Sequence, residues 1–505
     1  MRFAYTGSNF LEIEECTQFE YKLLLMNYTK KVKTYKYSAA YQKGKWDGNL
    51  RFIQGKYIPF GSWSYLNRVL NNAKIQSNLL DVVEKNINNI SEEEFIDYVD
   101  ELMKDSKYKP RDYQIKAAWK ALKYKRCTAQ LATSAGKTLI VYLIFSYLLD
   151  KRLAKKVLMI VPTVQLVTQA EKDFSTFLPK RFEFCKLFEG QKDISDIAEI
   201  TVGTYQTCVN KDVNFLNKFD CVIVDECHKV VCKSETKIVE QCSCPYKIGM
   251  SGTVDLNYNF SGALQTCCVL GPLIIDVKAK ELQDAGYISD CIIYQHILNY
   301  HKRNDDNLND MKNLRKLLKS DGISESQKNT MLNRLLDAEK NFIMNDEKRL
   351  NYIVEQISKS NGNGLILVQH LKYLNIISER LKGVFHNRPI FIISGSIDNV
   401  KRDAIKEIVE KSDNAIIVAT YGTMSTGVSI TNLNYLLLAE SYKSPTIVLQ
   451  SIGRLLRKNP NKEYAEIYDI CDNLYSGSIC AKHATDRRRL YNEQNFRNQK
   501  INIDF

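Results

Sequence analysis

The stretch LATSAGKT, Leu131 to Thr138, runs directly into the apolar series LIVYLIFSYLL, Leu139 to Leu149. A strand-like lead, a Gly-Lys-Thr step and a long apolar segment together predict a loop that opens a helix N-terminus. Unpaired backbone N–H groups and the helix dipole attract phosphate at such a place. Lys137 is then placed to reach β- and γ-phosphates, and the Thr138 hydroxyl to sit on Mg²⁺. The match to G-x-x-x-x-G-K-[ST] is imperfect, because Leu131 stands where the first glycine should be. An Ala-Gly-Lys-Thr string can also be an ordinary helix start, so the reading needs a second feature.

That feature lies downstream. CVIVDECH, Cys221 to His228, ends a β-rich apolar run in two carboxylates, Asp225 and Glu226. Carboxylates at the end of a buried strand are costly without a function. Asp225 can hold Mg²⁺ and Glu226 can polarise an attacking water. SGT, Ser251 to Thr253, follows. Strand, AGKT and helix, then strand and DECH, then SGT, predict a P-loop ATPase with ATP and Mg²⁺ as cofactors.

The surrounding pattern is α/β. VLMIVP (Val157–Pro162), ITVGTY (Ile200–Tyr205) and YKIGMSGT (Tyr246–Thr253) are short apolar runs of the same kind. A second series follows: GLILVQ (Gly364–Gln369), IFIISG (Ile390–Gly395), AIIVAT (Ala415–Thr420), YLLLAE (Tyr435–Glu440) and EIYDIC (Glu466–Cys471). Such runs suit strands buried on both faces of a parallel sheet, and two successive α/β units are the natural reading. Late in the second unit, QSIGRLLR carries Arg454 and Arg457, three apart and so on one face if helical. Arginine supplied across an interface stabilises the charge that develops in phosphoryl transfer.

Length and charge agree with this. The chain has 505 residues, enough for two to four domains, and a net charge of +13. A basic balance on a globular chain points to polyanions, mainly nucleic acid, against the plainer reading of a solvated lysine-rich surface. The longest apolar run is about half the ~20 residues a helix needs to cross a bilayer, and the acidic start MRFAYTGSNFLEIEE is not a signal peptide. The expectation is a cytoplasmic protein, of the host cell if viral, with no membrane partner. The 14 cysteines are then expected to be free thiols, and the cluster Cys227, Cys232, Cys242 and Cys244 incidental, since it lacks a paired C-x-x-C framework.

Residues 1–100 read as a separate small α+β, nucleic-acid-binding unit. Lys30 to Lys56 holds eight Lys/Arg, Lys43, Lys45 and Arg51 among them, and one acid, Asp47, with Tyr35, Tyr37, Tyr41, Trp46 and Phe52 interleaved. Trp46 is as well suited to a small core as to a base. His301 to Glu355, highly charged, reads as a solvated helical insertion. The end, HATDRRRLYNEQNF, reads as a terminal helix whose Arg487–Arg489 are exposed or touch phosphate.

The motif set resembles superfamily 2 helicases. PRDYQ (Pro110–Gln114), ATSAGKT (Ala132–Thr138), VPTVQLVTQ (Val161–Gln169), VGTYQT (Val202–Thr207), DECH, SGT, ATYGTMSTGVSI (Ala419–Ile430) and QSIGRLLRK (Gln450–Lys458) occur in family order. The resemblance implies two tandem RecA-like P-loop lobes, at 101–278 and 279–478, after the N-terminal domain and before a helical tail at 479–505. It implies that Arg111 and Gln114, with Gln114 on adenine, and Ser134, Ala135, Gly136, Lys137, Thr138, Gly427 and Gln450 bind the nucleotide. Lys137, Asp225, Glu226, Arg454 and Arg457 carry hydrolysis, with Thr138 and Asp225 on Mg²⁺ and Arg457 as the finger. His228, Ser251 and Thr253 couple the lobes, while Thr163, Thr204 and Thr420 touch the nucleic-acid backbone. One departure is Val428-Ser429-Ile430, where many relatives carry an Asp after the glycine. DECH, with Cys-His where Ala-Asp would stand, argues against a standard DEAD-type RNA helicase. KGKWDGNLRF with IPFG (Lys43–Gly61) sharpens the resemblance to RecG-like branch-migration helicases of phage. It implies a protein, expected to be a monomer, that remodels branched, duplex and single-stranded DNA, with RNA in R-loops. The alternatives are a non-unwinding duplex translocase or RNA helicase on the same motor, and an ATPase switch without motor action. Strand displacement set against ATPase alone separates the last.

Overall fold

The structure is a computed structural model that describes the chain except residues 8, 179–180, 189–196, 319, 321, 426–429, 443, 460–461 and 463. It divides into two compact units, Met1–Val277 and Lys278–Phe505.

The first unit is built on a seven-stranded sheet in the order β12-β6-β11-β10-β7-β9-β8. The strands are β6 (Arg126–Leu131), β7 (Val157–Val161), β8 (Phe184–Leu187), β9 (Ile200–Thr204), β10 (Cys221–Asp225), β11 (Tyr246–Ser251) and β12 (Leu273–Val277). Every neighbouring pair is parallel. Helices cover both faces, which is why strands such as β7 and β9 are buried along their whole length. All carboxyl ends therefore lie along one edge of the sheet, where loops can gather functional groups.

Ahead of this sheet, β1 (Arg2–Tyr5), β2 (Phe10–Glu15) and β5 (Tyr57–Pro59) form a small antiparallel sheet, and β3 (Thr29–Lys31) pairs with β4 (Asn49–Arg51). This α+β region is not a detached module. Its core of Phe3, Leu11, Leu24, Ile58 and Leu66 continues into Leu264 and Cys268 of the helix Ser261–Leu270, which belongs to the large sheet. The approach is close enough to require glycine: a Cβ on Gly61 would stand 2.5 Å from the carbonyl oxygen of Cys267. Sequence pattern marks local periodicity but not which apolar faces share a core.

The second unit has its own seven-stranded parallel sheet, ordered β15-β16-β14-β17-β18-β13-β19. These are β13 (Asp290–Asn299), β14 (Gly364–Val368), β15 (Ile390–Ile393), β16 (Ile416–Thr420), β17 (Tyr435–Leu438), β18 (Tyr464–Asn473) and β19 (Arg497–Asp504). Two tandem RecA-like sheets confirm the α/β expectation.

Three expectations need correction here. The segment after His301 forms helices Asp306–Leu317, Glu325–Asn345 and Glu347–Lys359, but it is not merely solvated. Leu308, Met311, Leu335 and Ile343 are buried in the core of the second unit, an apolar stripe diluted in sequence by the charged faces. The end is not only helical: after Ile479–Glu493, β19 pairs in parallel with β13. Arg487 is neither exposed nor free for phosphate. It is 4% exposed, and its Nη2 donates to Asp469 Oδ1 at 2.7 Å while its Nε donates to both Asp469 oxygens at 3.0 Å.

Candidate nucleotide and nucleic-acid site

β6 delivers the chain to the loop 132–136, and the helix Lys137–Asp150 begins at once. Gly136 is the helix cap at φ +74°, and a Cβ there would stand 2.4 Å from Gln114 Nε2. Ser134 also takes a left-handed φ of +71°, a conformation with a steric cost for any residue bearing a Cβ. The loop is held from behind by PRDYQ. Tyr113 Oη donates to the Ala135 carbonyl at 2.7 Å, and Gln114 Nε2 donates to the same oxygen at 2.8 Å. Gln114 Oε1 accepts from the Arg111 backbone N–H at 2.9 Å, and Arg111 Nη1 donates to Tyr113 Oη at 3.1 Å. Gln114 is thus buried with both polar atoms engaged by the protein, which makes it a brace for the phosphate loop in this conformation. Sequence reasoning overlooked Tyr113, although its place beside Gln114 in PRDYQ was a usable signal.

β10 ends at Asp225, and Glu226 turns the chain at φ +52° into the short helix Cys227–Val231. That turn aims both carboxylates at Lys137. Lys137 Nζ lies 3.0 Å from Glu226 Oε1 and 3.6 Å from Asp225 Oδ1. Burial opposes ionisation of Glu226, but Lys137 and the hydrogen bond to His228 outweigh it and hold the carboxyl well below the usual range. Burial pushes the Asp225 carboxyl up, with Lys137 pulling against it. For Lys137 burial is again the largest opposing influence, and the two carboxylates overcome it and keep the ammonium charged. A second layer ties this centre to SGT. His228 Nδ1 lies 2.9 Å from Ser251 Oγ, which donates to Glu226 Oε2 at 3.3 Å and accepts from the Thr253 N–H at 3.2 Å. Tyr205 Oη donates to the Asp225 carbonyl at 2.9 Å, a link from VGTYQT that the sequence did not reveal.

The residues present fit a magnesium nucleotide. Asp225 Oδ1 is buried without a hydrogen bond, beside a helix N-terminus whose first residues are Lys137 and Thr138. Among the described residues no group of three or more His, Cys, Asp or Glu could hold a metal ion on its own. Mg²⁺ suits such a place, since it is commonly held by one or two carboxylates together with substrate phosphates.

The expected nucleic-acid threonines lie at strand carboxyl ends. Thr163 and Thr204 cap the helices Val164–Phe177 and Tyr205–Cys208, accepting from the N–H groups of Leu166 and Thr207, and Thr420 Oγ1 lies 2.8 Å from Thr423 Oγ1. Thr204 is only 3% exposed and caps the turn, while Gln206, two residues on, is exposed. Arg454 sits in the last turn of the helix Pro445–Leu455, which also bears Gln450. Arg457 lies beyond that helix, so the two arginines do not share a helical face as expected; the chain leaves the helix at Leu456. Gly427 lies outside the described residues. In the N-terminal region Lys43 and Lys45 are exposed. Trp46 is half-buried with Nε1 donating to the Asn49 carbonyl at 2.8 Å, and Arg51 is ion-paired with Asp47.

Two tandem RecA-like sheets, with a phosphate loop facing an Asp-Glu pair across one carboxyl edge, make a P-loop motor, and the chain is an ATP-dependent helicase that resembles those of superfamily 2. Residues 107–256 match the family of the type III restriction enzyme res subunit, and residues 348–459 match the helicase conserved C-terminal domain. The chain resembles the ATP-dependent DNA helicase uvsW of Enterobacteria phage T4, with 27% identity over 467 residues, 90% of this chain and 87% of that one. It is also 27% identical over 372 residues to the DNA 3'-5' translocase XPB2 of Sulfurisphaera tokodaii, covering 71% of this chain and 80% of that protein. Among solved structures, the ATP-dependent Type ISP restriction-modification enzyme LlaBIII bound to DNA aligns with a TM-score of 0.55 at 14% identity. That alignment covers 79% of this chain and 31% of that one, a likeness of fold. No described helix is long and apolar enough to cross a membrane.

Proposed function

We propose that the protein uses ATP hydrolysis to remodel branched DNA, such as Holliday junctions, stalled forks, D-loops and R-loops, in recombination, repair and replication. The observation that carries this is the exposed basic segment around β3 and β4, rooted on the first RecA-like sheet through a shared core. A motor that steps along a backbone does not by itself part a branch, because backbone contacts carry no information beyond position. A rigidly attached basic element can hold duplex at the fork while the motor pulls. Its Lys43 and Lys45 would neutralise phosphate, and Trp46 is half-exposed beside them.

In this reading Lys137 and the loop N–H groups hold the β- and γ-phosphates, and Thr138 and Asp225 hold Mg²⁺. The bound metal nucleotide supplies the activated phosphoryl group. Glu226, kept ionised beside Lys137, orients the attacking water. His228, Ser251 and Thr253 pass the state of that carboxylate to the rest of the motor, and Arg454 and Arg457 supply positive charge to the transferring group. The similarity to the DNA 3'-5' translocase of Sulfurisphaera tokodaii favours a second reading, movement along duplex without unwinding.

Strand products followed on a gel separate the two. With ATP and Mg²⁺, a synthetic Holliday junction or fork should be resolved faster than a blunt duplex of equal length, with Lys137→Ala as the blank. Equal rates on both substrates would favour translocation, and activity on RNA duplexes alone would make the protein an RNA helicase.

A further inference from the structure

The two strands that lead to the nucleotide loop and to SGT begin with buried cations. Arg126 opens β6 and Lys247 is the second residue of β11; they are register partners across the parallel ladder. Like charges placed opposite each other on neighbouring strands repel. Both are also out of water, at 3% and 1% exposure. Among the described residues neither has a carboxylate within ion-pair distance. Arg126 Nη2 donates to Asn9 Oδ1 at 2.5 Å and Lys247 Nζ donates to the Val239 carbonyl at 2.6 Å, both neutral acceptors. Burial pushes the Lys247 ammonium down to about 8, and Arg126 adds to the fall, so it is still mainly charged at neutral pH. Buried charges are ordinarily paired, because an uncompensated one is strongly destabilising.

These cations line a cavity of 310 Å³ between the N-terminal region and the sheet. Asn9 and Gln265 line it too, each with one amide N–H already given to the protein, Asn9 Nδ2 to the Glu240 carbonyl at 3.3 Å and Gln265 Nε2 to Thr236 Oγ1 at 2.7 Å; Arg51 and Glu240, whose carboxylate pulls weakly against the fall of Lys247, are further charged groups. We propose that this cavity is an oxyanion site of the phosphate class, in which Arg126 and Lys247 hold the anion and Asn9 and Gln265 orient it. It lies at the amino ends of β6 and β11, about 17 Å along the strands from the nucleotide loop at their carboxyl ends. It is therefore separate from the ATP site and does not depend on the branched-DNA reading. The phosphate could come from a DNA backbone, presented beside Arg51, or from the free anion, and the same chemistry recognises both.

The test uses the full chain carrying Lys137→Ala, which weakens phosphate binding at the nucleotide loop. Inorganic phosphate is titrated against chloride at constant ionic strength while thermal unfolding is followed. Tm should rise by about 2 °C or more at saturation. Adding Lys247→Met should abolish the response and raise Tm in chloride, because a buried unpaired charge has gone. Gln265→Glu, which places a carboxylate in the cavity, should do the same by serving as an internal counterion. Duplex affinity then distinguishes the sources. A roughly tenfold loss in Lys247→Met, with phosphate competing in the parent, assigns the site to a DNA phosphate; unchanged affinity with a lost phosphate response assigns it to the free anion. No phosphate response in the parent, or an equal response in both variants, together with unchanged duplex affinity, overturns the proposal.

Discussion

At the residue scale, the chemistry concentrates on Lys137 and the two carboxylates it faces. Glu226→Gln keeps the phosphate loop and Lys137 intact, so nucleotide should still bind while turnover is lost. Lys137→Ala removes the cation itself and should lose turnover as well. Equilibrium binding of a fluorescent ATP analogue beside steady-state ATPase checks both, and near-normal hydrolysis in either variant would refute the assignment. Arg457→Ala should lower kcat by about 10³-fold or more with little change in ATP affinity, the scale of an arginine finger. A change confined to KM would make Arg457 a binding residue. Gln114 shows why roles are not readable one residue at a time. Its place in PRDYQ suggests adenine contact, but its amide is engaged by Ala135 and Arg111, and only the folded loop makes that visible.

At the scale of elements, the apolar runs of β7, β9, β10, β11 and β14 were legible because both faces of a central parallel strand are buried. β13 was not. It carries Gln295 and His296 in buried positions, which break the apolar run, yet Gln295 Nε2 donates to Asp469 Oδ2 at 3.2 Å and to the Ala484 carbonyl at 2.9 Å. β19 hid for another reason: it pairs only with β13, at the end of the sheet, and its polar residues face water. Just beyond it, Phe505 meets the ring of Tyr300 edge-on at 5.0 Å between ring centroids. Phe505→Ala should cost about 3 kcal/mol and speed amide exchange in β13 and β18, read by hydrogen-exchange mass spectrometry. A terminal helix without this strand would show no such effect.

At the scale of the whole molecule, the N-terminal region and the first sheet fold on one core, so removing residues 1–94 would strip cover from Leu264 and Cys268 and confuse loss of binding with loss of folding. Point changes are the cleaner probe. Lys43→Gln with Lys45→Gln should weaken duplex and fork binding and reduce the salt slope, d log K/d log[salt], by about 1.8 in magnitude, while basal ATPase survives. Affinity measured across a salt series checks this, and an unaltered slope would remove these lysines from the DNA contact.

The sequence alone determined the ATPase motifs, their order, the strands that carry them and the two tandem α/β units, because each rests on local chemistry: a phosphate loop at a helix start, acids at a strand end, apolar runs of strand length. Tertiary structure decided what depends on residues distant in the chain. It placed Lys137 on Asp225 and Glu226, joined His228 to Ser251, and braced the loop with Tyr113. It buried the stripe of the charged insertion and set Arg126 beside Lys247. Burial and counter-charge are properties of packed neighbours, and no window of sequence contains them.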